Sequence, residues 1–290
     1  MYPAFLLSRL SKGAWMATPF STRYRSRPRG RIPDDNITPE KQRGPRRRHT
    51  YTEIENQLKN MEEDMMYKTK SDSTITYKEI KKAIFDLKKG KSTGPDRILN
   101  EVIKYTNPVM INSYMKIFNV ILKTGIYPKS WKESFTIPIY KSGDKNDPNN
   151  YRGVSLINCL PKIFNTILNN RLFKIIEDQL SNSLFGFREN HRTADSIFVL
   201  KSVINKCIHK NKNKIYACFV DLRKAFDSVW REALLYKLCK MGIGLHIFKL
   251  LKEQYLNTTS SLKHKDQHSV FFNISRGVKL INPYIVQCIY

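Results

Sequence analysis

Apolar residues recur at helical spacing along most of this chain, and the pattern predicts a protein built mainly from helices. Residues 50–69 form an acidic amphipathic stretch, which we interpret as a docking helix with no part in chemistry. From residue 75 onward the periodic stretches follow one another closely, as in a folded domain. The predicted helices cover residues 97–106, 109–124, 161–179, 193–208, 227–240 and 245–256.

The clearest helix start lies at Thr76. Thr76 and Glu79 have the spacing of a capping box, and Ile75 is placed to pack onto Ile80. Gly90 ends that helical pattern. A second cap is predicted at Thr193, ahead of the helix over residues 193–208.

Three segments predict strands. Phe135, Ile137 and Ile139 alternate with other residues, and a polar, turn-rich loop follows at residues 141–150. Residues 215–220 form a β-prone apolar run that ends at Asp221. Residues 259–275 have the pattern of a hairpin. Helices and strands together predict an α+β fold class.

The net charge of the chain indicates the kind of partner that it binds. The chain has 290 residues, enough for one large domain or two small ones, and 41% of them are hydrophobic. Its net charge of +26 implies a polyanion, with nucleic acid first and an anionic membrane surface second. No apolar run approaches the roughly 18 residues that a membrane-spanning helix needs. We therefore predict a nucleic acid partner and no membrane.

The cysteines indicate a reducing compartment. Cys159, Cys207, Cys218, Cys239 and Cys288 show no CxxC spacing, and four of them lie in apolar periodic segments. Buried, reduced thiols explain this pattern better than disulfides or zinc. The expected localisation is nuclear or cytoplasmic.

Residues 1–50 differ from the rest of the chain. They contain 12 Lys and Arg against 3 acids, with dense clusters at residues 23–31 and 43–48. A mitochondrial transit peptide, a disordered nucleic-acid-binding arm and unrelated sequence joined to a domain all fit this composition. We favour the disordered basic arm over mitochondrial targeting.

The most informative candidate chemistry lies around Asp221. A strand that ends in a carboxylate at an open edge is one way to hold a divalent metal against a phosphate chain. Phe226 and a second acid, Asp227, follow. By spacing alone, the pair equally fits a strand-ending Asp and an Asp that caps the next helix, which is the commoner arrangement.

The sequence around these residues resembles the reverse transcriptases of non-LTR (LINE-type) retrotransposons. IYACFVDLRKAFDSVWREALLYKL at residues 215–238 is similar to the first catalytic motif of that family. KKGKSTGPDRILNEVIK at 88–104 resembles the entry segment, and residues 130–172, with the YR-x-x-SL signature, resemble the fingers. LFGFRENHRTADSIFVL at 184–200 is similar to the QxGFR segment. The four segments occur in the family's order.

This resemblance implies a fold, an activity and partners. The fold would be a helix-rich, right-hand polymerase-like fingers and partial palm. The family activity is RNA-templated DNA synthesis, with Mg²⁺ as the cofactor. The implied partners are an RNA template, a DNA primer and deoxynucleoside triphosphates, and the oligomeric state stays open.

The resemblance also implies roles at the catalytic centre. Asp221 matches the first catalytic carboxylate and metal ligand, and Leu222 matches the residue whose backbone carbonyl binds metal. Phe226 matches the position under the incoming sugar, although it also fits a core aromatic at a helix entry.

Four basic residues are the candidates for binding phosphates. Arg152 matches the triphosphate-binding arginine of the fingers, and a guanidinium suits bidentate phosphate binding. Lys141 is similar to the neighbouring basic residue, though a solvated loop charge fits equally well. Arg188 and Arg192 are candidates for template phosphates.

The chain departs from the family pattern at two places. Leu184 stands where the family has Gln, and the match ends after Lys279 without the QG or the adjacent Asp pair that the family has next. We therefore expect a domain truncated before the Asp-Asp motif that is catalytically incomplete by itself. The alternatives are a non-catalytic nucleic-acid-binding remnant of a decayed element and a product that does not fold.

These interpretations divide the chain into four parts. Residues 1–50 are the basic disordered arm, and residues 51–74 are an acidic helical linker. Residues 75–280 are the partial reverse transcriptase domain, and residues 281–290 form a divergent tail.

Overall fold

Helices make up most of the structure, a computed structural model that describes residues 45–68, 73–188, 190–210, 214–222 and 224–278. The helices are α1 (Pro45–Lys68), α2 (Tyr77–Phe85), α3 (Asn100–Lys104), α4 (Pro108–Thr124), α5 (Lys129–Lys132), α6 (Cys159–Ile176), α7 (Thr193–Asn205), α8 (Arg231–Lys240) and α9 (Leu245–Tyr255). The strands are β1 (Glu133–Tyr140), β2 (Tyr151–Leu156), β3 (Thr259–His264), β4 (Gln267–His268) and β5 (Phe272–Asn273). The protein is therefore helix-rich and mixed α/β, with a small mixed sheet.

The chain divides into two compact units. One unit comprises Met1–Glu53 and Ser196–Asp221, and the other comprises Ile54–Asp195 and Leu222–Tyr290. The described residues begin at Pro45, where α1 starts, so most of the predicted basic arm lies outside them. The predicted tail at residues 281–290 also lies outside them.

Helices form the core of the larger unit. α2 packs against α4 and α6, and α9 packs against α4 and α8. Phe118 and Phe164 are fully buried, with ring centroids 5.2 Å apart, and Trp131 lies 5.8 Å from Phe164. This aromatic cluster joins α4, α5 and α6.

The start of α2 confirms the predicted capping box. The Thr76 hydroxyl accepts from the Glu79 N–H, and the Glu79 carboxylate accepts from the Thr76 N–H at 2.8 Å. Ile75 is buried beside this cap. Arg171 of α6 donates to both oxygens of Glu79, at 2.8 and 3.0 Å, and so ties the start of α2 to α6.

β1 lies inside the sheet. β2 pairs with it antiparallel, with Ile139 opposite Arg152, and β3 pairs with it parallel, with Phe135 opposite Ser261. β4 and β5 both pair antiparallel with β3. The hairpin predicted at residues 259–275 is confirmed by β3 and β4, whereas the sequence did not predict β2.

Two predicted boundaries were wrong. The helix expected at 227–240 begins only at Arg231, because residues 224–228 form a turn in which the Ser228 N–H donates to Lys224 O at 3.1 Å. The helix expected at 97–106 is the short α3, and Arg97 precedes it in a left-handed conformation with φ of 56°.

The prediction of a strand that ends at Asp221 was also wrong. Residues 214–222 have no regular secondary structure, and Tyr216, Phe219 and Val220 are exposed, Tyr216 to 91%. A strand is stable only when its backbone groups pair with a neighbour. No described strand pairs with this segment, so its β-propensity alone does not make it a strand.

None of the described helices combines the length and the apolar character that crossing a bilayer requires.

Candidate nucleotide and nucleic acid interface

The β1–β2 hairpin places two basic candidates on the same face. Arg152 is exposed and pairs opposite Ile139, and the Lys141 N–H donates to Asn150 O at 2.9 Å, continuing the ladder by one step. Side chains two residues apart on a strand point to the same side. Lys141 therefore shares a face with Ile139, and so with Arg152, as a diagonal cross-strand neighbour about 7 Å away.

The loop between these strands is held by its own hydrogen bonds. The carboxylates of Asp144 and Asp147 each accept the N–H two residues further on, at 2.9 Å. Asn150 Nδ2 donates to Asp144 O at 2.8 Å, and Tyr151 Oη donates to Lys145 O at 2.9 Å. The hairpin can therefore present its basic residues from a fixed framework.

Lys224 links this loop to the segment that follows Asp221. Its ammonium donates to Asn149 Oδ1 at 3.2 Å, and its φ of 52° lies in the left-handed region. Lys224 was not among the predicted site residues. Arg223 and Lys224 both stand between the acids Asp221 and Asp227, so the sequence by itself could not single out Lys224.

Phe226 is half-buried, and its surroundings join two of the sequence motifs. Its ring meets that of Phe187, from the GFR segment, edge-on at 6.0 Å. The Phe226 carbonyl accepts from the Val278 N–H at 3.0 Å, and a Cβ on Gly277 would lie 2.9 Å from that carbonyl oxygen. The structure thus gives Phe226 a packing role, and its contact with an incoming sugar stays a prediction.

Asp221 and Leu222 are both exposed, at the end of the irregular segment. A carboxylate and a backbone carbonyl are the oxygen donors that Mg²⁺ prefers, so these two residues fit part of a magnesium site. Within the described ranges, no three His, Cys, Asp or Glu side chains come together to hold a metal ion. Asp221 and Leu222 therefore stay predicted ligands.

Arg188 has a different environment from the one expected. Its guanidinium bonds to the Glu177 carboxylate at 2.5 and 2.9 Å and donates to Ser181 O at 3.0 Å, and its side chain is 7% exposed. These hydrogen bonds give Arg188 a structural role in the loop after α6. Its contact with template phosphates stays a prediction.

Arg192 is exposed just before α7. Its backbone N–H donates to the Asp195 carboxylate at 2.7 Å. Thr193, which was expected to cap the helix, is already its first residue. The position leaves the Arg192 side chain accessible, and its contact with template phosphates stays a prediction.

Residues 140–280 match the reverse transcriptase (RNA-dependent DNA polymerase) family. This range includes Arg152, the GFR segment, Asp221 and Phe226.

Proteins of insect mobile elements are similar over the same region. The RNA-directed DNA polymerase from mobile element jockey of Drosophila melanogaster is 35% identical over 170 residues, which is 57% of this chain and 18% of that protein. The probable RNA-directed DNA polymerase from transposon BS of Drosophila melanogaster is 34% identical, over 58% of this chain and 19% of its own length. The probable RNA-directed DNA polymerase from transposon X-element of the same species is 28% identical, over 73% and 24%.

The chain spans about a fifth of the length of these relatives. The matched region nevertheless covers the hairpin loop and β2, the GFR segment and the turn after Asp221. Residues 140–280 are therefore similar to a segment of the RNA-directed DNA polymerases of these mobile elements.

Proposed function

We propose that this chain binds an RNA template, a DNA primer and a deoxynucleoside triphosphate, as the fingers and part of the palm of a right-hand polymerase. The observation that carries the proposal is the β1–β2 hairpin, which presents Lys141 and Arg152 on one face; both residues lie in the matched region. Two cations on one face suit the charge of a triphosphate, and the fork of Arg152 suits its oxygens.

The reaction that this site would serve is nucleotide addition. The primer 3′-hydroxyl attacks the α-phosphorus and loses its proton while pyrophosphate leaves. Bound magnesium would favour the ionised hydroxyl and offset the charge of the leaving group. Asp221 and the Leu222 carbonyl would hold the metal, and Arg152 and Lys141 would orient the triphosphate. Phe226, packed on Phe187, would give the sugar a rigid surface.

We expect the 290-residue polypeptide to bind nucleotide but to extend no primer by itself. Phosphoryl transfer with two metals needs more carboxylates than Asp221 provides. The proposed role is therefore substrate binding, with catalysis dependent on carboxylates from elsewhere.

The test measures binding of a fluorescent deoxynucleoside triphosphate, with an RNA–DNA primer–template and Mg²⁺, by anisotropy. Arg152→Ala should weaken binding about tenfold or more, and Arg152→Lys should restore only part of it, because lysine keeps the charge but loses the fork. Lys116→Ala, which removes an exposed charge on α4, should bind like the parent. Equal binding by Arg152→Ala and Lys116→Ala would refute the role of the hairpin.

A second candidate is a nucleic-acid-binding module without nucleotide binding, which the net charge of +26 favours. Asp221→Asn separates the two. Loss of magnesium-dependent nucleotide binding in that variant supports the polymerase role. Nucleic acid binding that Asp221→Asn leaves intact, in a parent that binds no nucleotide, supports the module.

A further inference from the structure

An open cavity of about 400 Å³ lies at the other end of β1 from the basic hairpin loop. Its walls are the turn at residues 93–97, Phe135 of β1, and Lys263, Asp266 and His268 of the β3–β4 hairpin. All of these residues belong to the larger unit. None of the predicted site residues lines the cavity, so it is separate from the proposed triphosphate site.

Two rings and a cation form one wall. The ring centroids of Phe135 and His268 are 4.6 Å apart, and the Lys263 ammonium lies 5.6 Å from the centroid of Phe135. Lys263 pairs directly opposite His268 in the sheet. His268 is exposed and Phe135 is half-buried, so an incoming planar group can reach both rings. Such a surface suits a nucleobase, because every base has a face that stacks.

The opposite wall is a turn fixed by its surroundings. A Cβ on Gly94 would lie 2.4 Å from the Ile157 carbonyl carbon, so only glycine lets the turn approach the end of β2 this closely. The Asp96 N–H donates to Asn158 Oδ1 at 3.0 Å, and the Asp96 carboxylate accepts from the Cys159 N–H at 3.2 Å. The turn is therefore held in place before any ligand binds.

Arg97 is set at the end of this turn in a strained conformation. Its φ of 56° lies in the left-handed region, and its N–H donates to Gly94 O at 3.1 Å. Strain of this kind persists where the surroundings fix it, and it is frequent at binding sites. The exposed guanidinium is thereby set at the rim of the cavity.

The cavity has an excess of positive charge. Arg97 and Lys263 contribute two cations against the single carboxylate of Asp266. Within the described residues, no carboxylate lies within ion-pair distance of either cation. Unpaired cations beside an aromatic surface favour a ligand that has both a planar ring and a negative charge.

We propose that this cavity binds one nucleotide of a single-stranded nucleic acid. The base stacks on Phe135 and His268, and Arg97 and Lys263 pair with the adjoining phosphate. The inference rests on the proposed function, since it adds a contact with the strand. Phe135 and Ile139 lie on the same face of β1, about 13 Å apart along the strand. One strand can therefore cross from the cavity toward the basic hairpin.

The test measures binding of a fluorescein-labelled 12-nucleotide oligouridylate to the full chain, by anisotropy at several salt concentrations. His268→Ala should weaken binding about tenfold, since stacking is lost. Lys263→Met should weaken binding and lower the slope of log K against log salt by about one unit. Lys116→Met, the matched control on α4, should lower the slope by much less.

A direct readout accompanies the variants. Irradiation of an oligonucleotide that contains 4-thiouridine should cross-link to peptides that include Phe135 or His268, whatever the variants do to stability. Cross-links confined to other peptides would overturn the proposal. It would also be overturned if the His268→Ala and Lys263→Met variants bound the oligonucleotide as the Lys116→Met control does.

The outcomes separate this inference from the proposed function. If the cavity variants leave strand binding unchanged while triphosphate binding still depends on Arg152, the inference about the cavity is refuted and the proposed function is not. A parent that binds neither strand nor triphosphate refutes both. Uridine monophosphate that competes as well as the oligouridylate would show a site for free nucleotide and refute binding of a strand.

Discussion

At the scale of single residues, Arg231 is a buried side chain with several hydrogen bonds to main-chain carbonyls. Its guanidinium donates to the carbonyls of Gly277, Tyr255 and Ile274 at 2.9, 2.8 and 2.9 Å. It also lies 5.1 Å from the centroid of the Tyr255 ring. Burial lowers the pKa of this guanidinium from its ordinary value. Through these hydrogen bonds Arg231 holds α8 against the segment that leads to residue 278.

Arg231→Met should lower the free energy of unfolding by about 3 kcal/mol, because buried carbonyls lose their donors. Urea unfolding followed by circular dichroism measures the change. Lys237→Met, on the exposed face of the same helix, should change stability by less than about 0.5 kcal/mol. Equal effects of the two substitutions would contradict the role of Arg231.

Gly94→Ala tests the close approach of the turn at residues 93–97. The added Cβ has no room against the Ile157–Asn158 backbone, so we expect destabilisation of about 2 kcal/mol or more. At Gly186, in the GFR segment, a Cβ would meet nothing within 4 Å, and Gly186→Ala should leave thermal stability unchanged or slightly raised. A tolerated Gly94→Ala would show that the turn can shift away.

The contacts of individual side chains were the features that the sequence predicted least well. Motif position identified Arg152 and Phe226 as candidates, because the family pattern is local. It could not predict that Arg188 and Arg231 are internally bonded, since their partners come from other elements. Arg97, at the cavity rim, was missed for the same reason.

At the scale of elements, the start of α2 combines a cap with an ion pair. Burial by itself would raise the pKa of Glu79, but hydrogen bonds from Arg171 and Thr76 outweigh it and hold the pKa below its ordinary value. A carboxylate with a lowered pKa in the folded state stabilises the protein above its unfolded pKa, near 4.3. That contribution is lost as the pH falls through the folded value.

Glu79→Gln should therefore destabilise most at neutral pH. The difference in unfolding free energy from the parent should shrink as the pH falls from 5 to 3, because protonation removes the same charge. Urea unfolding at a series of pH values measures this. A difference independent of pH would contradict the ion pair.

The segment that ends at Asp221 can be tested by thiol labelling. Cys218 is exposed within it, whereas Cys159 and Cys239 are buried, and burial raises the pKa of each of these thiols to about 11. Iodoacetamide should label Cys218 within minutes in the native protein and reach Cys159 and Cys239 only in denaturant. Mass spectrometry of the labelled peptides gives the order, and a protected Cys218 would indicate a paired strand.

Amphipathic helices were predicted better than strands, for a physical reason. α4 and α9 have apolar residues spaced to form one buried face, which the sequence displays locally. β2 lacks alternation in YRGVSL and gains its stability from pairing with β1. At residues 215–220 the error was the opposite, since a strand was predicted there and the segment is irregular. The cause is the same, because an apolar run forms a strand only beside a partner strand.

At the scale of the whole molecule, charge dominates the expected behaviour. With a net charge of +26, association with RNA should release many counterions. Raising NaCl from 50 to 200 mM should therefore weaken oligouridylate binding by about 300-fold or more, if six or more phosphates of this single strand are contacted. Anisotropy titrations give the slope, and binding indifferent to salt would mean that the charge is not used for RNA.

The similarity of the segment to reverse transcriptases could be predicted from the sequence, because several motifs in the right order are a specific signal. The arrangement of the sheet could not. β1 pairs in parallel with β3, so that Ser134 and Ser260, 126 residues apart, share a hydrogen bond. Nothing in the local pattern of either strand specifies that pairing.

This long-range pairing has a consequence during synthesis. At about 5–20 residues per second, a ribosome needs roughly 6–25 s to make the residues between the two strands. During that interval β1 has β2 beside it, but its other edge waits for β3 and can pair with another nascent chain. Translation speed and chaperones should therefore govern how much of this polypeptide reaches its native state in a cell.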